Sequence, residues 1–236
     1  MPNWVRQQAT FRGSNEALKK LESLICVTEE RARETEEYNK RIDFCEIVRN
    51  ARNGKKIAQC KKCNKKSCKY VKHLNPDAFK KDIPQVGSVD FGILIPQPEL
   101  IYTGGTNDEI KKEVESLGGT DWYYWDIDNW GTKWNACDDH VEWEDDECLV
   151  VSFDTAWSMA EPWWIRVGEE SQKLGVEIDG FYADEDFGGA MGTIHLNEYD
   201  DEITITCCSK DEDIYEDAWG YSPLEDVLQD ELDSED

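Results

Sequence analysis

From Val5 to Phe11, apolar and polar side chains alternate with the period of a strand that buries one face. Ser14 follows where a helix N-cap belongs, and Leu18, Leu21 and Ile25 recur at the spacing of a helical stripe. Thr28, with Glu29 and Glu30 behind it, predicts a second helix. Its apolar face runs through Tyr38, Ile42, Cys45 and Val48, and Asn53-Gly54 ends it. Phe91-Gly92-Ile93-Leu94-Ile95 is a short apolar run closed by Pro96. Thr106 and Glu109 form a capping box for a helix with Ile110, Val114 and Leu117 on one side and Gly118-Gly119 after it. Two strands are expected at residues 132–143 and 148–153, joined by the acidic turn Glu144-Asp145-Asp146-Glu147. Pro162 opens a further helix that turns Trp163 or Trp164, Val167 and Leu174 inward and stops at Gly175. Strands are expected again at 176–182, 193–196 and 203–207. With the long stretch after the first helix set aside, this order is the split βαββαβ unit, an α+β arrangement with both helices on one face of the sheet. The core is expected at residues 1–26 and 84–208, a helical insertion at 27–83, and an acidic C-terminal segment at 209–236. In that last segment Ser222-Pro223-Leu224-Glu225 reads as a capping box with proline at the first helical position. A short acidic amphipathic helix is expected there, docked on its own domain or on a partner, with a solvated tail as the remaining option.

Composition sharpens this reading. With 39% hydrophobic residues, 10 Trp, 9 Tyr and 7 Phe among 236 residues, the chain has the material for a core. It contains no run of about 18 apolar residues, and the opening Met1-Pro2-Asn3-Trp4-Val5-Arg6 lacks a signal-peptide layout, so the cytoplasm is the expected compartment. Nine cysteines, an odd count in a long chain, read as reduced thiols. The formal charge of -26 is unevenly shared: residues 1–82 hold 20 Lys+Arg against 11 Asp+Glu (+9), and residues 83–236 hold 6 against 41 (-35). A surface that negative repels nucleic acid and membranes and is drawn to the basic clefts of nucleic-acid-binding proteins, although acidity can serve solubility alone.

The strongest chemical motif is Cys60-x2-Cys63-x4-Cys68-x4-His73, three thiolates and an imidazole at the spacing of a zinc knuckle. A closed four-ligand shell leaves no open position, so the expected cofactor is one structural zinc. Lys61, Lys62, Lys65, Lys66, Lys69 and Tyr70 surround it, a basic and aromatic setting that suits single-stranded nucleic acid, a solvated surface or pairing with the acidic half. Cys137-x2-His140 and Cys207-Cys208 read as packing in preference to a second metal site. Asp184-Glu185-Asp186, Asp126, Asp128, Asp138 and Asp139 are raw material for a two-metal nuclease, but nothing fixes their mutual geometry. The aromatic runs Trp122-Tyr123-Tyr124-Trp125 and Trp130-Gly131-Thr132-Lys133-Trp134 read as core and lid packing in preference to a ligand box.

Four segments carry a family resemblance: Met1-Pro2-Asn3-Trp4-Val5, Asp128-Asn129-Trp130-Gly131-Thr132-Lys133-Trp134-Asn135-Ala136, Thr155-Ala156-Trp157-Ser158 and Tyr182-Ala183-Asp184-Glu185-Asp186. In this order they resemble the YubB-type (Api-like) ferredoxin-like family of proteins of phages, plasmids and other mobile elements. The resemblance implies a ferredoxin-like topology without an iron–sulfur cluster and brings no catalytic residues. The functional expectation is a non-enzymatic inhibitor of a bacterial host's defence nuclease, such as a CRISPR effector, whose basic nucleic-acid channel an acidic surface would occupy. The partner-binding residues expected are Glu142, Glu144, Asp145, Asp146 and Glu147, together with Asp211, Glu212, Asp213, Glu216 and Asp217. A nucleic-acid-binding accessory protein acting through the zinc module is the alternative, and a metal-dependent nuclease the third.

Overall fold

The computed structural model describes residues 3–41, 76–98, 100–105, 107–116, 118–208 and 210–223. In chain order its elements are β1 (Trp4–Arg12), α1 (Asn15–Ile25), α2 (Glu29–Arg41), a 3-10 turn (Pro76–Phe79), α3 (Phe91–Leu94), β2 (Ile101–Tyr102), α4 (Asp108–Ser116), β3 (Thr120–Asp121) and α5 (Trp122–Trp130). They continue with β4 (Cys137–Asp145), β5 (Cys148–Ala156), α6 (Glu161–Leu174), β6 (Glu177–Asp184), β7 (Met191–Leu196), β8 (Thr204–Ile205) and α7 (Glu212–Trp219). The chain divides into one unit of residues 1–26, 87–95 and 127–236 and another of residues 27–86 and 96–126. Residues 96–126 therefore group with the insertion, and the described part of the C-terminal segment groups with the core.

The first unit is built on a sheet of order β4-β5-β1-β6-β7-β8. Its neighbouring strands are all antiparallel. Four adjacent strands of it, β4, β5, β1 and β6, with α1 after β1 and α6 between β5 and β6, realise the βαββαβ connection read from the sequence. Burial alternates along β1: Val5, Gln7, Ala9 and Phe11 are buried and the residues between them are not. The buried set faces the helices. Ser14 Oγ accepts from the Ala17 amide and starts α1, which buries Leu18, Leu21 and Ile25. In α6 both Trp163 and Trp164 are fully buried, as is Val167, and Gly175 ends the helix in the left-handed conformation at φ 67°. The Trp164 ring stacks on Phe11 and Phe153, while Trp163 meets Phe153 edge-on and lies 4.9 Å from Phe91. Truncating either buried indole to alanine would cost about 3–5 kcal/mol.

One polar side chain sits inside this aromatic layer. Gln7, fully buried, donates from Nε2 to Thr155 Oγ1 at 2.6 Å on β5. Its Oε1 accepts from the Ala160 amide at 3.1 Å and from Trp164 Nε1 at 2.7 Å. The amide thereby fixes where β5 ends and where α6 begins, a start that has no side-chain cap of its own.

Several boundaries differ from the sequence reading. The run at 91–95 forms a helical turn because Asp90 Oδ1 accepts from the Gly92 amide and caps it. The strand expected at 132–143 begins only at Cys137: Thr132 Oγ1 instead donates to Ala156 O, and Asn135 Oδ1 accepts from the Phe91 amide. The aromatic run at 122–125 opens a helix. In the C-terminal segment the described helix is α7, capped by Asp211, whose Oδ1 accepts from the Ile214 amide; Leu224 and Glu225 of the expected box lie outside the described residues.

In the second unit, Thr28 Oγ1 accepts from the Arg31 amide at the start of α2. Strands β2 and β3 pair in parallel, with Ile101 opposite Thr120. Helix α4 buries Val114 and is capped by Asn107, whose Oδ1 accepts from the amides of Glu109 and Ile110.

Replacing Gln7 with methionine keeps the volume but strands two buried donors, the Ala160 amide and the Trp164 indole N–H, so Gln7→Met should lower stability by on the order of 3 kcal/mol. Urea denaturation should show a lower midpoint with an unchanged slope; an unchanged midpoint would show that the amide does not tie these elements.

Candidate functional site

The sheet of the first unit has two unlike faces. One carries the aromatic core and helices α1 and α6. The other presents His140 and Glu142 of β4, both exposed and opposite Ser152 and Val150 in register, because side chains on a strand repeat with period two; Asp138 and Glu144, also exposed, sit at the register shifts that flank this stretch. Trp143, on the opposite parity, turns to α1, where its Nε1 donates to Glu22. Strand register carries the polar face across the sheet: Glu142 lies opposite Val150, Val150 opposite Thr10, Thr10 opposite Asp179, Asp179 opposite His195, and His195 opposite Thr204. Five inter-strand steps make this row about 24 Å long. Exposed Glu177 and Asp179 on β6 add carboxylates to it.

Helix α7 covers part of this same face. Tyr215 and Ala218 are buried with Ala183 and Met191 from the sheet, and Phe181 and Trp219 pack around them. Arg6 closes the contact: its guanidinium binds both oxygens of Asp154 at 2.8 and 2.9 Å, donates to Ala218 O, and lies 4.5 Å from the Trp219 ring. The stripe of buried Tyr215 and Ala218 with partly buried Ile214 and Trp219 leaves Glu212, Asp213, Glu216 and Asp217 exposed. Helix α7 thus docks on its own domain; the helix expected from the Ser222 box lies, from Leu224 on, outside the described residues.

The expected partner-binding residues therefore separate into two groups. Asp145, Asp146 and Asp211 have local structural work: Asp145 Oδ1 accepts from the Glu147 amide, Asp146 accepts from Asn15 Nδ2, and Asp211 caps α7. Glu142 pairs with His140 at 3.2 Å, and Glu144 accepts from Cys148 Sγ. Glu147, Glu212, Asp213, Glu216 and Asp217 are exposed and make no ion pair among the described residues. Glu177 and Asp179 on β6 were missed as members of this face, although each stands at an exposed position in its strand.

The ligand set Cys60, Cys63, Cys68 and His73 lies outside the described residues, as do Lys61, Lys62, Lys65, Lys66, Lys69 and Tyr70. Among the described residues Cys26, Cys137, Cys148, Cys207 and Cys208 are free thiols, and no group of three or more His, Cys, Asp or Glu could hold a metal. Burial pushes the Cys26 thiol up to about 12, which makes it a packing residue.

The four segments quoted for the family resemblance converge at one end of the sheet. The Trp157 amide donates to Asn3 O at 2.8 Å, and Glu185 N donates to Trp4 O. Ser158 Oγ donates to Gly131 O, and Asn3 Nδ2 donates to Asp186 Oδ2. Gly131, at φ 80°, admits no larger residue: a Cβ there would stand 2.6 Å from Pro162 Cδ. Trp157 itself sits at φ 78°, a conformation that strains a large side chain by about 1–3 kcal/mol.

A sheet covered by two helices on one face, with this connection order, defines the class as a ferredoxin-like α+β protein. Residues 129–223 match the family described as a ferredoxin-like domain in Api92-like protein, to which this part of the chain is similar. The crystal structure of a protein api92 from Yersinia pseudotuberculosis is similar in fold, with a TM-score of 0.51 at 9% identity over 89% of this chain and 100% of that one. No curated protein matches the chain. Among the described residues no helix is long and apolar enough to cross a membrane.

In the second unit Asp121 and Asp126 are buried, with 2% and 4% exposure. Burial pushes the Asp126 carboxyl up to about 7; the hydrogen bond from Gln97 at 2.6 Å opposes the rise and the neighbouring Asp121 adds to it. The folded state thus prefers protonated Asp126. Its contribution to stability is fully present below about pH 4, the unfolded value, and is lost as pH rises through about 7. Asp126→Asn should melt above the wild type at pH 8, with the gap closing toward pH 5. A gap of equal size at both pH values in thermal melts would contradict this.

Proposed function

We propose that this protein is a mobile-element inhibitor of a host defence nuclease, of the kind exemplified by CRISPR effectors, and that it acts by placing its acidic sheet face in a basic nucleic-acid channel. One observation carries the reading: Glu142 of β4 and the acidic helix α7 lie on the same side of one sheet. Glu212, Asp213, Glu216 and Asp217 put four charges on about 7.5 Å of helix axis. That is about one per 1.9 Å, close to the one per about 1.7 Å of duplex DNA. The resemblance to proteins of phages and plasmids supplies the biological setting, and the cytoplasm of the bacterial host follows from it. An acidic face on a stable scaffold gains association rate by steering, while each exposed pair adds only about 0.2–1 kcal/mol. Single substitutions are therefore expected to change little.

Two multiple variants test the reading: Glu142→Lys with Glu144→Lys, and Glu212→Lys with Asp213→Lys, Glu216→Lys and Asp217→Lys. Each should keep the wild-type circular dichroism. Each should also raise the concentration needed to block DNA cleavage by the inhibited RNA-guided nuclease by roughly a hundredfold. If both fold and inhibit as well as the wild type, the acidic face is not the working surface.

A further inference from the structure

We propose that Lys133, Trp134 and Trp157 form a binding site for a mononucleotide, with its planar base on Trp157 and its phosphate on the Lys133 ammonium. The inference stands apart from the acidic face and does not depend on it.

The position of the lysine is the first argument. Lys133 Nζ lies 4.4 Å from the centroids of both Trp134 and Trp157. The described Lys and Arg side chains with an ion pair in the same unit are Arg6 with Asp154, Arg166 with Glu169 and Lys173 with Glu170. Lys133 pairs with no carboxylate among the described residues. Indole faces hold the ammonium by its charge but leave it without an oxyanion.

Trp157 is the second. It is 45% exposed, and its backbone lies in the left-handed region that a large side chain avoids. Its amide is held to Asn3 O, and Thr155 Oγ1 donates to Ser158 O across it at 2.7 Å. The fold thus fixes a strained turn that leaves much of an indole open to solvent beside an ammonium, and burial gives no reason for it. Trp134 completes the corner, with Trp4 packed 6.0 Å from it.

An open indole takes a planar ring by stacking, and an adjacent ammonium takes a phosphate as a point charge. A single nucleotide offers both within one molecule. A long polynucleotide offers the same chemistry, but its phosphates would run into the field of a chain of charge -26, so the ligand is a monomer.

Isothermal titration calorimetry with adenosine monophosphate, adenosine, inorganic phosphate and a single-stranded 12-mer separates these terms. The expected result is saturable binding of adenosine monophosphate, with adenosine, phosphate and the 12-mer each at least about tenfold weaker. Lys133→Gln and Trp157→Gly should each lose this binding, whereas Lys173→Gln, away from the corner, should keep it. Glycine accepts the φ of Trp157 without strain, so Trp157→Gly should not lower the melting temperature. A marked fall would show that the ring serves packing, and would overturn the assignment. No saturable binding by the wild type, equal affinity for adenosine and its monophosphate, or binding kept by both variants would also overturn it, and tighter binding of the 12-mer would refute the monomer assignment.

Discussion

A buried side-chain amide in the middle of the sheet governs how the first unit is assembled. Gln7 lies on the central strand, between β5 and β6, fully buried with Phe153 and Tyr182 opposite it on the two sides. Burying an amide is costly unless it is satisfied, and here donor and acceptor both are, by β5 and by the first turn of α6. Apolar contacts are tolerant of small slips; these hydrogen bonds are not. They set the register in which the aromatic side chains of α6 meet Phe11 and Phe153. They also place the turn through Trp157 at the sheet end, beside the chain start and the 130–136 loop.

Because that register is fixed, the two faces of the sheet sort by chemistry. The helix face takes the large aromatics, and the other face receives the polar positions of each strand. Carboxylates accumulate on the second face through β4, β6 and α7. Mutual repulsion among them works against folding, and the aromatic core on the first face must offset it. Helix α7 is held on that side by Tyr215 and Ala218 and by the Arg6–Asp154 pair, a buried anchor beneath an acidic exterior.

Much of this was legible in the sequence where a local signal and its tertiary use coincide. The alternation in β1, the Ser14 cap, the stripe Leu18, Leu21 and Ile25, and the Pro162 start with its Gly175 stop all stand where their patterns put them. The misses share a cause: long-range hydrogen bonds overrode local propensity. Thr132 looks like a strand residue, yet its hydroxyl is taken by Ala156 O, and Asn135 Oδ1, just before β4, accepts from the Phe91 amide. Charge made Glu142, Glu144 and the α7 carboxylates visible as candidates, since exposed acidic runs need no partner to be recognised. The Lys133 corner was read as packing. Nothing in a linear pattern says that a tryptophan will take a positive φ or that a lysine will settle between two indoles.

The central claim is that charge on one sheet face brings this protein to a basic partner. Stopped-flow association with a purified RNA-guided nuclease, the class of partner proposed, tests it most directly, with salt varied from about 50 to about 300 mM. Screening over about 6–14 Å should lower the association rate by at least about tenfold across that range, with the dissociation rate changing far less. An association rate that does not respond to salt would contradict the account.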